Sequence, residues 1–337
     1  MKQSAIEIID EVVIAGGPSK RHRSRAGLLR LPNGELFVAY RTGWDMFATS
    51  HGAVVGTWSR DGGHSWDEPL PLLAEPGWDW FGAQRLLLLP DDSLVMLAGK
   101  ARWGTDQFLT FSTRSTDDGR SWQEIGPQIE VFRFATEPYG QGLVQPLPQN
   151  RLALGFQGTD QQEAKVGVGV AFSVDAGKTW SDRVVIAAAP GIDFREPDLL
   201  QLADGRWLAV IRTDQPPYEA YQSYSADGGK HWEAVAPAGF KAHCPRLLPL
   251  GKSIVCIYRD MQLERPGISY SLTCDEGASW HFGGRLYESP RAYDGWATAC
   301  GYPAAVALPD GEIFCCFHTD FIDGNSTIRG LYLKAKP

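Results

Sequence analysis

One eight-residue pattern recurs five times along the chain, and no other feature constrains the fold as tightly. It reads Ser/Thr-x-Asp-x-Gly-x-x-Trp and spans Ser59 to Trp66, Ser115 to Trp122, Ser173 to Trp180, Ser225 to Trp232 and Thr273 to Trp280. Four fixed positions repeated at intervals on the order of 50 residues signal a repeat architecture. The residue types specify a turn: Asp accepts hydrogen bonds from amides just downstream of it, and Gly takes positive φ. The Trp is expected to fill apolar space between neighbouring units. Asp61, Asp117, Asp175, Asp227 and Asp275 are therefore expected to be structural and to lie outside any active site.

A second repeat precedes each box: an apolar strand, a short turn and another apolar strand. Residues 27–40, 199–211 and 304–317 are the clearest of six copies, with Pro-Asn-Gly, Ala-Asp-Gly and Pro-Asp-Gly at their turns. The strands are continuously apolar, which predicts burial on both faces. Each unit thus supplies four strands over about 50 residues, the size of one propeller blade. The expected fold is all-β: a single six-bladed β-propeller over residues 1–337 with five box hairpins. The sixth unit lacks a box, and residues 6–15 read as a lone strand that completes the last blade and closes the ring. The 12 Trp and 37 Gly suit such a turn-rich fold.

The net charge of −8 argues against general nucleic-acid binding, which wants a basic face. The one basic run, residues 20–25, reads as a solvated loop except for Arg25. No apolar stretch approaches the roughly 20 residues needed to span a bilayer, so no membrane partner is expected. Glu7 and Asp10 interrupt any signal-peptide core, and the protein is expected to be cytoplasmic. The six cysteines have no metal-binding spacing and read as free thiols.

Because the units repeat, they can be compared with one another. Aligned on their turns, the residues eight before and eight after are Arg25 and Arg41, Gln141 and Gln157, Glu196 and Arg212, and Tyr302 and His318. Each pair flanks a hydrophobic hairpin, whose geometry brings the two ends to one face. Around a ring these side chains would converge near the axis. The second and fifth units can be registered in more than one way.

This constellation resembles the sialidase superfamily over essentially the whole chain. The resemblance implies that Arg25, in Arg-Ala-Gly where the family has Arg-Ile-Pro, is the first of three arginines binding a substrate carboxylate. Arg212 is implied as the second. The third lies upstream of the last box, where Arg265 fits and Arg259 and Arg246 are fallbacks. Tyr302, six residues before Leu308, is implied as the nucleophile and Glu196 as its base. The general acid is an Asp in the loop after the first hairpin, Asp45, with Asp79 as an alternative. Arg41 and His318 are further pocket positions without a family role.

Sialic acids carry a carboxylate on the anomeric carbon, which guanidiniums bind by charge-assisted hydrogen bonds. A neutral Tyr avoids the repulsion a carboxylate nucleophile would meet there, and Tyr nucleophiles are the known sialidase exception among glycosidases. The scheme requires no cofactor or metal, and the expected partner is a carbohydrate bearing a carboxylate. Two other readings stand beside it. One is a propeller lyase or hydrolase acting on uronic-type sugars, with His318, His51 or His243 as acid or base. The other is a non-catalytic propeller that binds glycan or protein. Trp44, Trp78, Trp80 and Trp103 are candidates for stacking on sugar rings, or for packing between blades.

Overall fold

A computed structural model describes residues 6–17, 19–45, 50–105, 107–129, 144–147, 151–160, 165–181, 183–295 and 299–336. They form 24 strands and, among the described residues, no α-helix. The first sheet takes its strands in chain order: His22–Arg30, Leu36–Gly43, Ala53–Ser59 and Leu70–Leu73. The second is built on Leu94–Ala101, which pairs with both Asp79–Phe81 and Leu86–Leu88 on one side and with Phe108–Ser115 on the other. Val144–Leu147, Arg151–Asp160, Lys165–Ser173 and Val184–Ala187 make the third. The last sheet joins the two ends of the chain, since Ile6–Ala15 runs antiparallel to Ile328–Ala335 from Ile6↔Ala335 to Ala15↔Ile328. The arrangement is all-β and propeller-like.

It differs in one respect from the expected six separate sheets. Residues 194–288 form one seven-stranded sheet. Its middle strand, Ala236–Leu250, is 15 residues long. That strand pairs with Glu219–Ser225 near its start and with Ser253–Asp260 at its end, so the outermost strand of one repeat unit runs without a break into the innermost strand of the next.

Apolar clusters lie between successive units, which is why the central strands are buried on both faces. Trp207–Thr213 is buried throughout, and Leu36–Gly43 at all but one residue. Phe37, Ala39 and Trp58 of the first sheet pack with Leu94, Met96 and Ala98 of the second. Leu28, Val38 and Tyr40 on its other side pack with Phe314, Cys316 and Tyr332 of the last. Fully burying one such side chain contributes roughly 1.5–3 kcal/mol.

The boxes are tight turns. In the first, Ser59 Oγ donates to Asp61 Oδ1 at 2.8 Å and accepts the Gly63 amide at 2.8 Å. Asp61 also accepts the Ser65 amide at 2.8 Å and the Ser65 hydroxyl at 2.5 Å. The fourth residue of each box is left-handed, even where it is Asp118, Ala176 or Glu276, and the Gly after it has positive φ as well. Two Trp side chains reach the preceding unit: Trp180 Nε1 donates to Ser112 Oγ and Trp280 Nε1 to Gln222 Oε1.

The strand register separates turn from site. Ser59, at the head of the first box, pairs with Leu36, and Leu36 pairs with Arg30 beside the hairpin turn. Arg41 pairs with Ser24 at the opposite end of the same strands. The boxes therefore close one end of the sheets, and Arg25 and its counterparts lie at the other.

Asp175→Ala removes an acceptor shared by the Ser173 hydroxyl and by the amide and hydroxyl of Thr179. A loss of about 1–3 kcal/mol is expected in urea-induced unfolding, with no change at the other end of the sheets.

Candidate active site

Four units carry the same irregularity in their first strand. The register passes from Ser24↔Arg41 to Gly27↔Ala39, from Arg195↔Arg212 to Asp198↔Val210, from His243↔Arg259 to Arg246↔Ile257, and from Gly301↔His318 to Ala304↔Cys316. Two residues oppose one each time, which is a β-bulge. Its left-handed residues are Arg25 (φ 57°), Glu196 (45°), Cys244 (50°) and Tyr302 (54°). Such a conformation is strained for a residue with a side chain and persists only where the surroundings hold it. Glu196, Cys244 and Tyr302 line one cavity together with Ala26, Gly27 and Gln84.

The Tyr302 hydroxyl donates to Glu196 Oε1 at 2.6 Å. Arg212 Nη1 pairs with Glu196 Oε2 at 2.7 Å, and Asp214 in turn pairs with Arg212 at 2.7 Å and with Arg195 at 2.6 Å. The Glu196 amide donates to Gln157 Oε1 at 2.9 Å. The guanidiniums of Arg25 and Arg259 lie 5.3 and 5.7 Å from the centre of the Tyr302 ring. Burial would raise the Glu196 carboxyl, but the Arg212 charge, the Tyr302 hydroxyl and Arg259 outweigh it and hold it at about 2. Burial and the Glu196 charge push the Tyr302 phenol well above its ordinary value, against the pull of Arg25. The resting pair is therefore a carboxylate accepting from a neutral phenol.

Arg265 is not part of this cluster. Its side chain is 73% exposed and pairs with Glu288 at 2.7 Å on the surface. Its place is taken by Arg259, which is 1% exposed and donates through Nε to the Cys300 carbonyl. Gly301 makes this possible: a Cβ there would lie 2.3 Å from Arg259 Nη2. The other fallback, Arg246, lines the cavity 4.0 Å from Asp198.

Arg41 is buried, but its charge is committed to Asp79 through contacts of 2.7, 2.9 and 3.0 Å. Trp103 Nε1 also donates to Asp79, at 2.8 Å. That carboxylate is thus held between Arg41 and Trp103. Asp45 is exposed, and its carbonyl accepts from Arg41 Nη1 at 2.9 Å. His318 is fully buried against Tyr302 and does not line the cavity. His243 is buried too, donating from Nε2 to the Thr213 carbonyl at 3.0 Å. Trp78 and Trp80 belong to the core, whereas Trp44 is 58% exposed beneath the Arg21 guanidinium. Gln141 lies outside the described residues. No group of three His, Cys, Asp or Glu side chains among the described residues is gathered for a metal ion.

Sequence reasoning missed Cys244, Asp214 and Gly301. Cys244 precedes Leu250 by six residues as Tyr302 precedes Leu308, so the signal was present but obscured by the ambiguous turn. Asp214 and Gly301 carried none.

The sheets are propeller-like, and the Tyr–Glu–Arg cluster stands at their open end. The chain belongs to the BNR repeat-like domain family, which matches residues 82–315. Among solved structures it is similar to a protein of unknown function from Dyadobacter fermentans, with a TM-score of 0.81 and 23% identity over 98% of this chain and 100% of that one. It is also similar to the Trypanosoma rangeli sialidase solved with sialic acid, with a TM-score of 0.68 and 13% identity over 93% of this chain and 54% of that one. The Penicillium chrysogenum α-L-arabinanase complexed with arabinobiose gives a TM-score of 0.65 and 14% identity over 97% and 98% of the two chains. No curated protein matches it.

Asp198, just past the Glu196 bulge, accepts the Leu199 and Leu247 amides and is fully buried; burial raises its carboxyl to about 6 in spite of Arg246 and those amides. A raised carboxyl favours the folded state while protonated, so this share of stability is present below about pH 4 and is lost as pH rises through 6. Asp198→Asn should flatten the decline in melting temperature between pH 4 and 6.

Proposed function

We propose that the protein is an exo-acting, retaining glycoside hydrolase that removes a terminal sialic acid or a related acidic sugar. The observation that carries this reading is the 2.6 Å hydrogen bond from Tyr302 to Glu196 in a wall of arginines. A propeller that only binds has no need for a buried phenol coupled to a carboxylate. The similar solved structures include both a sialidase and an arabinanase, so the substrate class is argued from the site. Arg25, Arg212 and Arg259 surround Tyr302 and favour a sugar with a carboxylate beside the reacting carbon.

In this mechanism the substrate carboxylate lies among the three guanidiniums. Tyr302 Oη attacks the anomeric carbon while Glu196 takes the phenol proton. The bond to the leaving oxygen breaks, and Asp45, exposed in the loop after the first hairpin, supplies that oxygen with a proton. Water then attacks the sugar–tyrosine bond with Asp45 as base. Tyr302 leaves and recovers its proton from Glu196. Two displacements at one carbon give retention.

The same reading takes the scaffold as a six-bladed ring, the seven-stranded sheet being two blades fused along residues 236–250 and Ile6–Ala15 closing the last blade. The apolar clusters between successive units, the last packing on the first, support it.

A fluorogenic α-sialoside is the direct test. Hydrolysis by the wild type should fall by orders of magnitude in Tyr302→Phe, and roughly 10²–10⁴-fold in Glu196→Gln. No turnover by the wild type on sialosides or on other acidic glycosides would overturn the assignment. Gly301→Ala, which forces Arg259 off Tyr302, should raise KM roughly 10-fold or more by weakening one charge-assisted contact, measured by steady-state kinetics.

A further inference from the structure

The last unit breaks a pattern that three others keep. Arg41, Arg212, Arg259 and His318 occupy one register position, each paired with the residue just before a bulge. Three are arginines, and the fourth, directly behind the phenol, is not. The His318 ring stacks on Tyr302 with centroids 5.7 Å apart and planes 25° from parallel. It is fully buried, and Nε2 donates to the Ala299 carbonyl at 3.1 Å, which fixes the ring against the turn that leads into Tyr302.

We propose that His318 is a positioning residue for Tyr302: a neutral ring, standing where the repeat elsewhere places a guanidinium, that backs the phenol and keeps its proton available to Glu196. Arg259, His22 and Arg25 all disfavour an imidazolium, burial disfavours it most, and only the Ala299 carbonyl favours it. An Arg at this position would add a further cation to Arg25 and Arg259 around the phenol. A nearby cation favours the phenolate. The phenolate would have no hydrogen to donate to Glu196, and two anions would face each other across 2.6 Å. The neutral ring leaves the phenol protonated until it attacks.

The role in catalysis rests on the reading of Tyr302 as nucleophile, but the effect on the phenol can be measured without any substrate. The readout is alkaline titration at 295 nm, taken as the difference between each protein and its Tyr302→Phe counterpart. His318→Arg should move the Tyr302 transition down by about one pH unit or more. His318→Gln, neutral and able to donate to Ala299, should leave it high. If the Arg variant does not fold, His318→Lys carries the same charge on a smaller head. On a hydrolysed glycoside, the cationic variant should lower kcat about 10-fold or more with KM little changed, as expected for a group felt mainly in the reacting state, and the Gln variant should retain most of it. The proposal is overturned if the cationic variant leaves the phenol titration in place, or if the Gln variant moves it equally far. A titration that shifts as stated in a protein that hydrolyses no glycoside would sink the assigned activity and leave the positioning role standing.

Discussion

A single extra residue in the first strand of four units, held left-handed at φ between 45° and 57°, decides where the chemistry stands. A regular strand would alternate its side chains between the two neighbouring units, both of which are apolar. The bulge breaks that alternation and presents Arg25, Glu196, Cys244 and Tyr302 at one end of the sheets. The strain is tolerable where the strand beyond the bulge is clamped. Beyond it, Asp198 ties its strand to the Leu247 amide of the next unit, and Gly27 brings the backbone close enough that a Cβ would lie 2.0 Å from the Ala83 carbonyl. The five box turns hold the other end.

The charges at the open end are sorted rather than merely crowded. Arg41 is answered by Asp79, and Arg195 by Asp214. Arg212 is shared between Asp214 and Glu196, so Glu196 keeps its ionised form even though it is buried. Arg259 donates to the Cys300 backbone carbonyl, and its guanidinium lies over the Tyr302 ring. A carboxylate entering here would meet cations already oriented, with little reorganisation left to make.

Much of this was legible in the sequence, for physical reasons that can be traced to residues. The boxes were readable because Ser59, Asp61 and Gly63 are each required by one local hydrogen-bond pattern. The pairing of Glu196 with Arg212 was readable because a short hairpin fixes which strand ends meet. The choice between Arg265 and Arg259 was not, since it turned on the empty space over Gly301 and on the surface partner Glu288, and neither leaves a mark in the spacing. The continuity of residues 236–250 was hidden likewise: a strand that crosses from one unit to the next looks, in one dimension, like two strands with a turn between them. His318 stood out as a ring position, yet only its stack on Tyr302 shows that it faces the phenol and not the cavity.

The pairing of Ile6–Ala15 with Ile328–Ala335 bears on how the chain comes into being. Ile6–Ala15 finds its partner in a segment made more than 300 residues later. Until then its ladder groups and the apolar side chains of Ile6 and Ile14 have no sheet to join. The final unit is complete only when this pair has formed, a contact of the high sequence separation that slows folding. In the finished molecule that same strand is an outer edge, with Glu7, Asp10 and Glu11 distributed along it among exposed Ile9 and Val13. Charges on a free edge discourage a second chain from adding itself there.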